Sequence, residues 1–187
     1  MKTVVLREAG YEEALLGMAL SYYDHAIPLE IWWNEEKIER AKKRALALAF
    51  RGGGHNKFLE SMQVWLFVQA SRDFWSEMDT YRVGISKQSS STMHTLSKRY
   101  ATKEDFESGT NPLCIEAFNK VLSLKPCVTT LKKNLPEGFL QTRIISTNYK
   151  VLQNIAFQRK GHRLKQWNSF LKMLQKQLEH PEFIWQD

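Results

Sequence analysis

Five consecutive residues, Val64-Trp65-Leu66-Phe67-Val68, constrain this chain more than any other stretch. They are β-branched, aromatic or aliphatic, carry no charge, and are too few for a helix buried on all sides. Such a run predicts a strand inside a sheet. A buried strand positions whatever flanks it. Upstream lie Gly52-Gly53-Gly54-His55 and Glu60; downstream, past Arg72–Asp79, lies Tyr81–His94. That last segment is dense in hydroxyls and holds Arg82, Lys87, Gln88 and His94. Hydroxyls, amides and cations gathered together suit phosphates, ribose hydroxyls and base edges. A Ser-rich surface loop after a core strand has the same composition, so the segment alone leaves both readings open.

The rest of the chain predicts an α+β fold, one domain over 1–187, with a mixed sheet flanked by helices. Thr3–Leu6 predicts a short strand, and Glu12–Tyr22 has Ala14, Leu15, Met18 and Ala19 at helical spacing. Pro28 breaks that pattern. Asn34 is placed to cap a helix with Glu35 and Glu36 in its first turn and Lys42, Lys43 and Arg44 further on, an order that complements the helix dipole. Gly52–Gly54 ends it, either as a plain turn or as backbone free to approach a ligand. Lys98–Thr110 lacks periodicity and predicts a loop or lid. Pro112 opens a helix to about Leu124, and Leu135-Pro136-Glu137-Gly138 is a turn. Phe139–Ser146 predicts a strand. Asn148–Phe157 and Arg163–Leu178 predict helices, the second with an apolar stripe of Leu164, Trp167, Phe170, Leu171 and Leu174.

Charge narrows the partners. The 187 residues carry a net charge of +7, so an anionic partner is expected: nucleotide, nucleic acid or acidic membrane. No stretch reaches the roughly 18 apolar residues of a membrane span, and charge interrupts the N-terminus too early for a signal peptide. A cytoplasmic location follows as the expectation. Cys114 and Cys127 then read as free, partly buried thiols. Between Glu137 and Glu179 there is no acidic residue, while eight Lys and Arg side chains fall in the interval. Lys172 and Lys176 suit a solvated face; Arg143, Lys150 and Arg159, near a strand end and a helix start, suit an anion site. The five histidines lack metal-ligand spacing, and no dinucleotide fingerprint, Walker loop or nucleophile motif is present. If this is an enzyme, a cofactor carries the hard chemistry. Trp65, Trp75, Tyr81 and Trp167 are expected in the core rather than stacked on a flat ring.

Three blocks of residues resemble the flavin-dependent thymidylate synthases, the ThyX family, and especially its shorter phage-type members. Gly54-His55-x-x-x-Leu59-Glu60 resembles the GHxxxxEH element before the family's core strand, with Ser61 in place of the second His. Tyr81–His94 resembles the signature RHRxxSxxExSxRY, with an insertion near Gly84. Leu135-Pro136 followed by Asn148-x-Lys150-x-Leu152-x-Asn154 and then Arg159 and Gln166-Trp167 resembles the family's C-terminal LP…NxRxLxNxxxxR…QW pattern. Thr80 and Tyr81 replace the first Arg and the His of the signature, Ser89 replaces its Glu, and Met93 its last Arg. Lys150 replaces an Arg, which keeps the charge and loses the bidentate fork. Asn168 and Phe170 depart from the residues that follow QW in the family.

The resemblance implies FAD held between subunits of a homotetramer, dUMP stacked on the flavin, methylenetetrahydrofolate as carbon donor and NADPH as reductant. It implies cofactor contacts at His55, Glu60, Tyr81, Ser86, Gln88, Asn154 and Arg159, and nucleotide contacts at Arg82, Ser89, Ser91 and Lys150. No protein nucleophile and no metal are implied, and a phage origin in a host cytoplasm suits the shorter form. Two alternatives remain at this level. One keeps the fold and changes the pyrimidine acceptor or the one-carbon group. The other is a catalytically silent relative that binds nucleotide or, less favoured, nucleic acid.

Overall fold

The computed structural model describes residues 1–186. Strand β1 (Lys2–Ala9) is followed by helices α1 (Tyr11–Ala19), α2 (Leu29–Trp32) and α3 (Glu35–Leu48). The expected buried run lies within β2 (Gln63–Ser71), which leads directly into α4 (Arg72–Met78). Next come β3 (Ser86–Ser89), α5 (Thr92–Thr95), α6 (Pro112–Ser123) and α7 (Val128–Lys133). The chain closes with β4 (Leu140–Asn148), α8 (Tyr149–Arg159) and α9 (Lys165–Gln177).

The four strands form one sheet in the order β1-β2-β4-β3. The expected α+β class holds. All three pairings are antiparallel where a mixed sheet was expected, because each strand runs back along its neighbour. Strand β2 is central and shows why its sequence looked buried. Val64, Leu66, Val68 and Ala70 alternate onto one face and are fully inaccessible. They meet Phe74 and Trp75 of α4, Leu152 and Ile155 of α8, and Trp167, Phe170 and Leu174 of α9 in the main core. On the other face Trp65 and Phe67 stay half-buried, with Arg7 and Lys2 of β1 over their rings at 5.7 and 5.8 Å.

Local signals act where expected. Asn34 accepts from the Lys37 amide at 3.1 Å, and Asn148 accepts from the Val151 amide at 3.0 Å, so both cap their helices. Several boundaries move. The first strand runs past Leu6 because a bulge at that residue lets β1 continue along β2. The fourth strand starts at Leu140 and runs to Asn148; Phe139 makes only an isolated bridge to Phe106. The first helix turns into a tighter 3₁₀ turn at Leu20–Tyr22. Ser86–Ser89 is an edge strand rather than a loop. The free edge of β1 is blocked by a side chain from α9: Gln177 Oε1 accepts from Val5 N–H at 3.0 Å, and its Nε2 donates to the Thr3 carbonyl at 3.1 Å.

Between β3 and β4 the chain builds a second, smaller apolar cluster from Leu96, Phe118, Leu131 and Leu135. Both cysteines are exposed, not half-buried, because each sits on the outer side of this insertion. Among the described residues no helix is long and apolar enough to cross a membrane.

Candidate functional site

The junction of β4 and α8 builds an open cavity. Gly84 has φ +68, and a Cβ there would lie 2.8 Å from Val151 Cγ2 and 3.3 Å from Asn148 Nδ2. Only glycine lets the chain pass this close to the start of α8. Thr147 Oγ1 donates to the Gly84 carbonyl at 3.0 Å and holds the approach. The result is to set the exposed Val83 beside α8. Lys150, Asn154 and Phe157, at helical spacing, line a cavity of about 740 Å³ with Val83, Lys160 and Trp185. Phe157 is 86% exposed and Val83 88%, so its apolar walls face solvent. Gln153 ties the cavity floor together, donating to the Ala49 and Phe183 carbonyls at 2.9 and 2.8 Å.

One turn further along α8, Arg159 turns inward. Its Nη1 donates to Glu77 Oε2 at 2.8 Å and its Nε to Tyr81 Oη at 2.9 Å. Its guanidinium lies over the Trp167 ring at 4.6 Å. The same Glu77 oxygen accepts from Trp167 Nε1 at 2.6 Å. Tyr81 Oη donates in turn to Gln158 Oε1 at 3.0 Å. Glu77, at the end of α4, thus joins α8, α9 and the segment before β3 into one hydrogen-bonded unit.

Two residues on from Glu77, Asp79 gathers two more cations. Arg143 Nη1 donates to both its oxygens, at 2.8 and 3.0 Å, and Lys87 Nζ approaches at 3.1 Å. Lys87 also donates to the Met78 and Tyr81 carbonyls. Burial alone would raise the Asp79 carboxyl, but hydrogen bonds from Arg143 and Lys87 outweigh it and hold it below the usual carboxylate range. Arg143 stacks on the Trp75 ring at 4.4 Å.

Solved structures resemble the fold of this chain over 98% of its length. Two of them are flavin-dependent thymidylate synthase ThyX from Helicobacter pylori in complex with FAD and dUMP. One has a TM-score of 0.82 at 16% identity, covering 98% of each chain. The other has a TM-score of 0.83 at 17% identity, covering 98% of this chain and 97% of that one. The chain has the ThyX fold. No family model matches the sequence, and no curated protein matches it by sequence. The resemblance drawn from the three motif blocks therefore holds at the level of fold.

Within the ThyX fold, the residues singled out from the sequence fall in separate places. Lys150 and Asn154 share the α8 cavity. His55 lies exposed in another cavity, of about 450 Å³, with Arg44 and Lys57. The two cavities share no lining residue. Glu60 is exposed at the end of a 3₁₀ turn. Ser86, Gln88 and Ser89 lie on the edge strand, flanked by Arg82 and Ser91, and all five are exposed. Tyr81 is buried, and its hydroxyl is committed to Arg159 and Gln158. Trp32 is buried in its own chain against Tyr23. Glu77 and Asp79 escaped the sequence reading, whereas Trp75 lies in the core as expected. The only signal of the two acids was their place together at the end of α4, ahead of a long interval with bases and no acids.

Proposed function

We propose that this protein is a flavin-dependent thymidylate synthase, converting dUMP to dTMP with FAD as prosthetic group, methylenetetrahydrofolate as carbon donor and NADPH as reductant. The observation that carries the reading is the α8 cavity, with Lys150 and Asn154 on its wall, in a chain that matches end to end the fold of proteins solved with FAD and dUMP. The donor set suits a flavin. Lys150 and Asn154 offer N–H groups to ring carbonyls, and Phe157, Val83 and Trp185 offer apolar surface to a flat heteroaromatic ring. Reduced flavin, when bound, supplies the hydride. The chain's own residues bind, orient and exclude water. Lys150 meets the nucleotide. The exposed hydroxyl and amide row of β3 and its flanks, with Arg82, meets phosphates and ribose. Tyr81 and Arg159 act as positioning residues through Glu77.

His55 and Glu60 lie apart from the α8 cavity, so in this reading they serve the site of another copy, and the working form is a homotetramer in the cytoplasm of a phage-infected host. The test is direct. The purified protein should show a flavin absorbance spectrum, bind added FAD, and form dTMP from dUMP with methylenetetrahydrofolate and NADPH. A colourless protein that also refuses FAD would sink the proposal. A yellow protein that fails to support thymidine-free growth of a strain lacking thymidylate synthase would keep the flavin and change the acceptor.

A further inference from the structure

The bend between α8 and α9 carries a histidine that the proposed chemistry does not use. His162 N–H donates to the Arg159 carbonyl at 3.2 Å, which keeps the imidazole beside that arginine's own side chain. Arg159 Nη1 lies 3.0 Å from His162 Nε2, and the Leu164 N–H points at His162 Nδ1 from 3.2 Å. Both ring nitrogens therefore face donors. A neutral imidazole has one lone pair to offer and one N–H to place. The charged guanidinium makes the stronger bond to that lone pair.

A proton added to the ring removes the lone pair. Both nitrogens are then donors facing donors, and a second positive charge stands against Arg159. Among the described residues, the acceptor within reach is Glu77 Oε2, 3.5 Å from His162 Nε2. That oxygen already accepts from Arg159 Nη1 at 2.8 Å and from the Trp167 indole at 2.6 Å. The imidazolium is satisfied by taking the carboxylate from the guanidinium. The other groups around the ring supply no counter-charge. From α9 comes the Trp167 ring, edge-on at 6.4 Å. From the segment before β3 comes Tyr81, whose hydroxyl accepts from Arg159 Nε. Lys160 and Arg163, the loop neighbours, are exposed cations. The His162 side chain is itself 27% exposed, so protons reach it from solvent.

We propose that His162 is a proton-operated latch: neutral, it keeps the Arg159 guanidinium on Glu77, and protonated, it displaces it. The effect reaches the α8 cavity by two routes. Lys160, next to Arg159, lines the cavity, and so does Val83, two residues on from Tyr81. Release of Arg159 frees the end of α8 and the Tyr81 hydroxyl together, so acid loosens two walls of the cavity. His162 is thus a positioning residue that acts through Arg159. The latch stands on these contacts alone, whatever the cavity binds.

The experiment uses the full chain and its His162→Gln variant, whose amide oxygen accepts from Arg159 and takes no proton. Urea unfolding is followed at about pH 8 and about pH 5.5, which bracket the range in which histidine side chains ordinarily take up a proton. The difference between the two chains at the higher pH is the reference. At the lower pH the parent's folded-to-unfolded ratio should fall at least about threefold relative to the variant, the scale of a partly screened charge contact. In an Arg159→Gln background the protonated ring faces Glu77 alone, so the sign should reverse and acid should favour the histidine chain. The Nε–H signal of Arg159 in proton–nitrogen correlation NMR, assigned with Arg159→Lys, reports the latch in the parent itself and needs no folded His162 variant. It should move to the position of solvent-exposed arginines on acidification, and stay in place in His162→Gln. A parent whose relative stability holds or rises in acid overturns the latch. So does an Arg159 signal that stays in place, or the same sign of pH effect with and without Arg159.

Discussion

Glu77→Ala should destabilise this protein although the residue is polar and only partly buried. The carboxylate serves two donors at once, the Trp167 indole at 2.6 Å and the Arg159 guanidinium at 2.8 Å. Trp167 is completely inaccessible, so its N–H would be left without an acceptor and without water. An orphaned buried donor costs about 1–3 kcal/mol. The ion pair adds less. Arg159 is 16% exposed but Glu77 is 35% exposed, so water screens the pair, and about 1 kcal/mol is appropriate rather than the larger figure for a fully buried pair. The sum is about 2–4 kcal/mol, which at about 2–4 °C per kcal/mol for a chain of this length lowers Tm by roughly 4–16 °C. Glu77→Gln keeps an acceptor for the indole and should cost only about 1 kcal/mol. Denaturant unfolding followed by tryptophan fluorescence reads both variants directly, at fixed protein concentration because assembly shifts apparent stability. An alanine variant within about 0.5 kcal/mol of the parent, or a glutamine variant as damaged as the alanine, would refute the account of Glu77 as a shared acceptor.

Lys150→Ala should weaken dUMP binding by about tenfold, whereas Lys150→Arg, which adds a bidentate fork, should preserve or tighten it; loss of binding in the arginine variant alone would show that Lys150 does not meet the nucleotide. Because Asp79 is held below its unfolded value, it contributes stability that is complete above about pH 4 and is lost as pH falls through the lower folded value. The stability difference between the parent and Asp79→Asn should therefore shrink between pH 5 and pH 2, by about the Asp79 titration alone, in urea melts taken across that range. Cys127 is an exposed thiol held down to about 7 by hydrogen bonds from the Thr129 and Thr130 hydroxyls. Its alkylation by iodoacetamide should reach half its maximal rate near pH 7, and Thr129→Val should move that midpoint upward; an unmoved midpoint would deny the hydroxyls this role.

Some of this architecture was legible without coordinates because its causes are local. Val64–Val68 is apolar over five residues, and the centre of a sheet buries one face of such a run fully and the other in part. Asn34, Asn148 and Pro112 mark helix starts through atoms two or three residues away, and the stripe on α9 repeats at the helical period. The strand Ser86–Ser89 was not legible: its side chains are polar, and it is a strand only because β4 offers it a row of backbone partners. The pairing of Arg143 with Asp79, 64 residues apart, and of Arg159 with Glu77, 82 apart, was equally hidden. Propensity and periodicity act over a turn or two of chain, whereas which distant carboxylate meets which guanidinium depends on how α4, β4 and α8 are brought together. The sequence alone therefore determined that cations gather near β4 and α8 with no acid in the same interval, and that Arg143, Lys150 and Arg159 suited an anion site. The tertiary structure decided their roles residue by residue: it committed Arg159 to Glu77, paired Arg143 with Asp79 with donors to spare, and put Lys150 on the wall of an open cavity, because packing brings the two acids at the α4 end within reach of those guanidiniums.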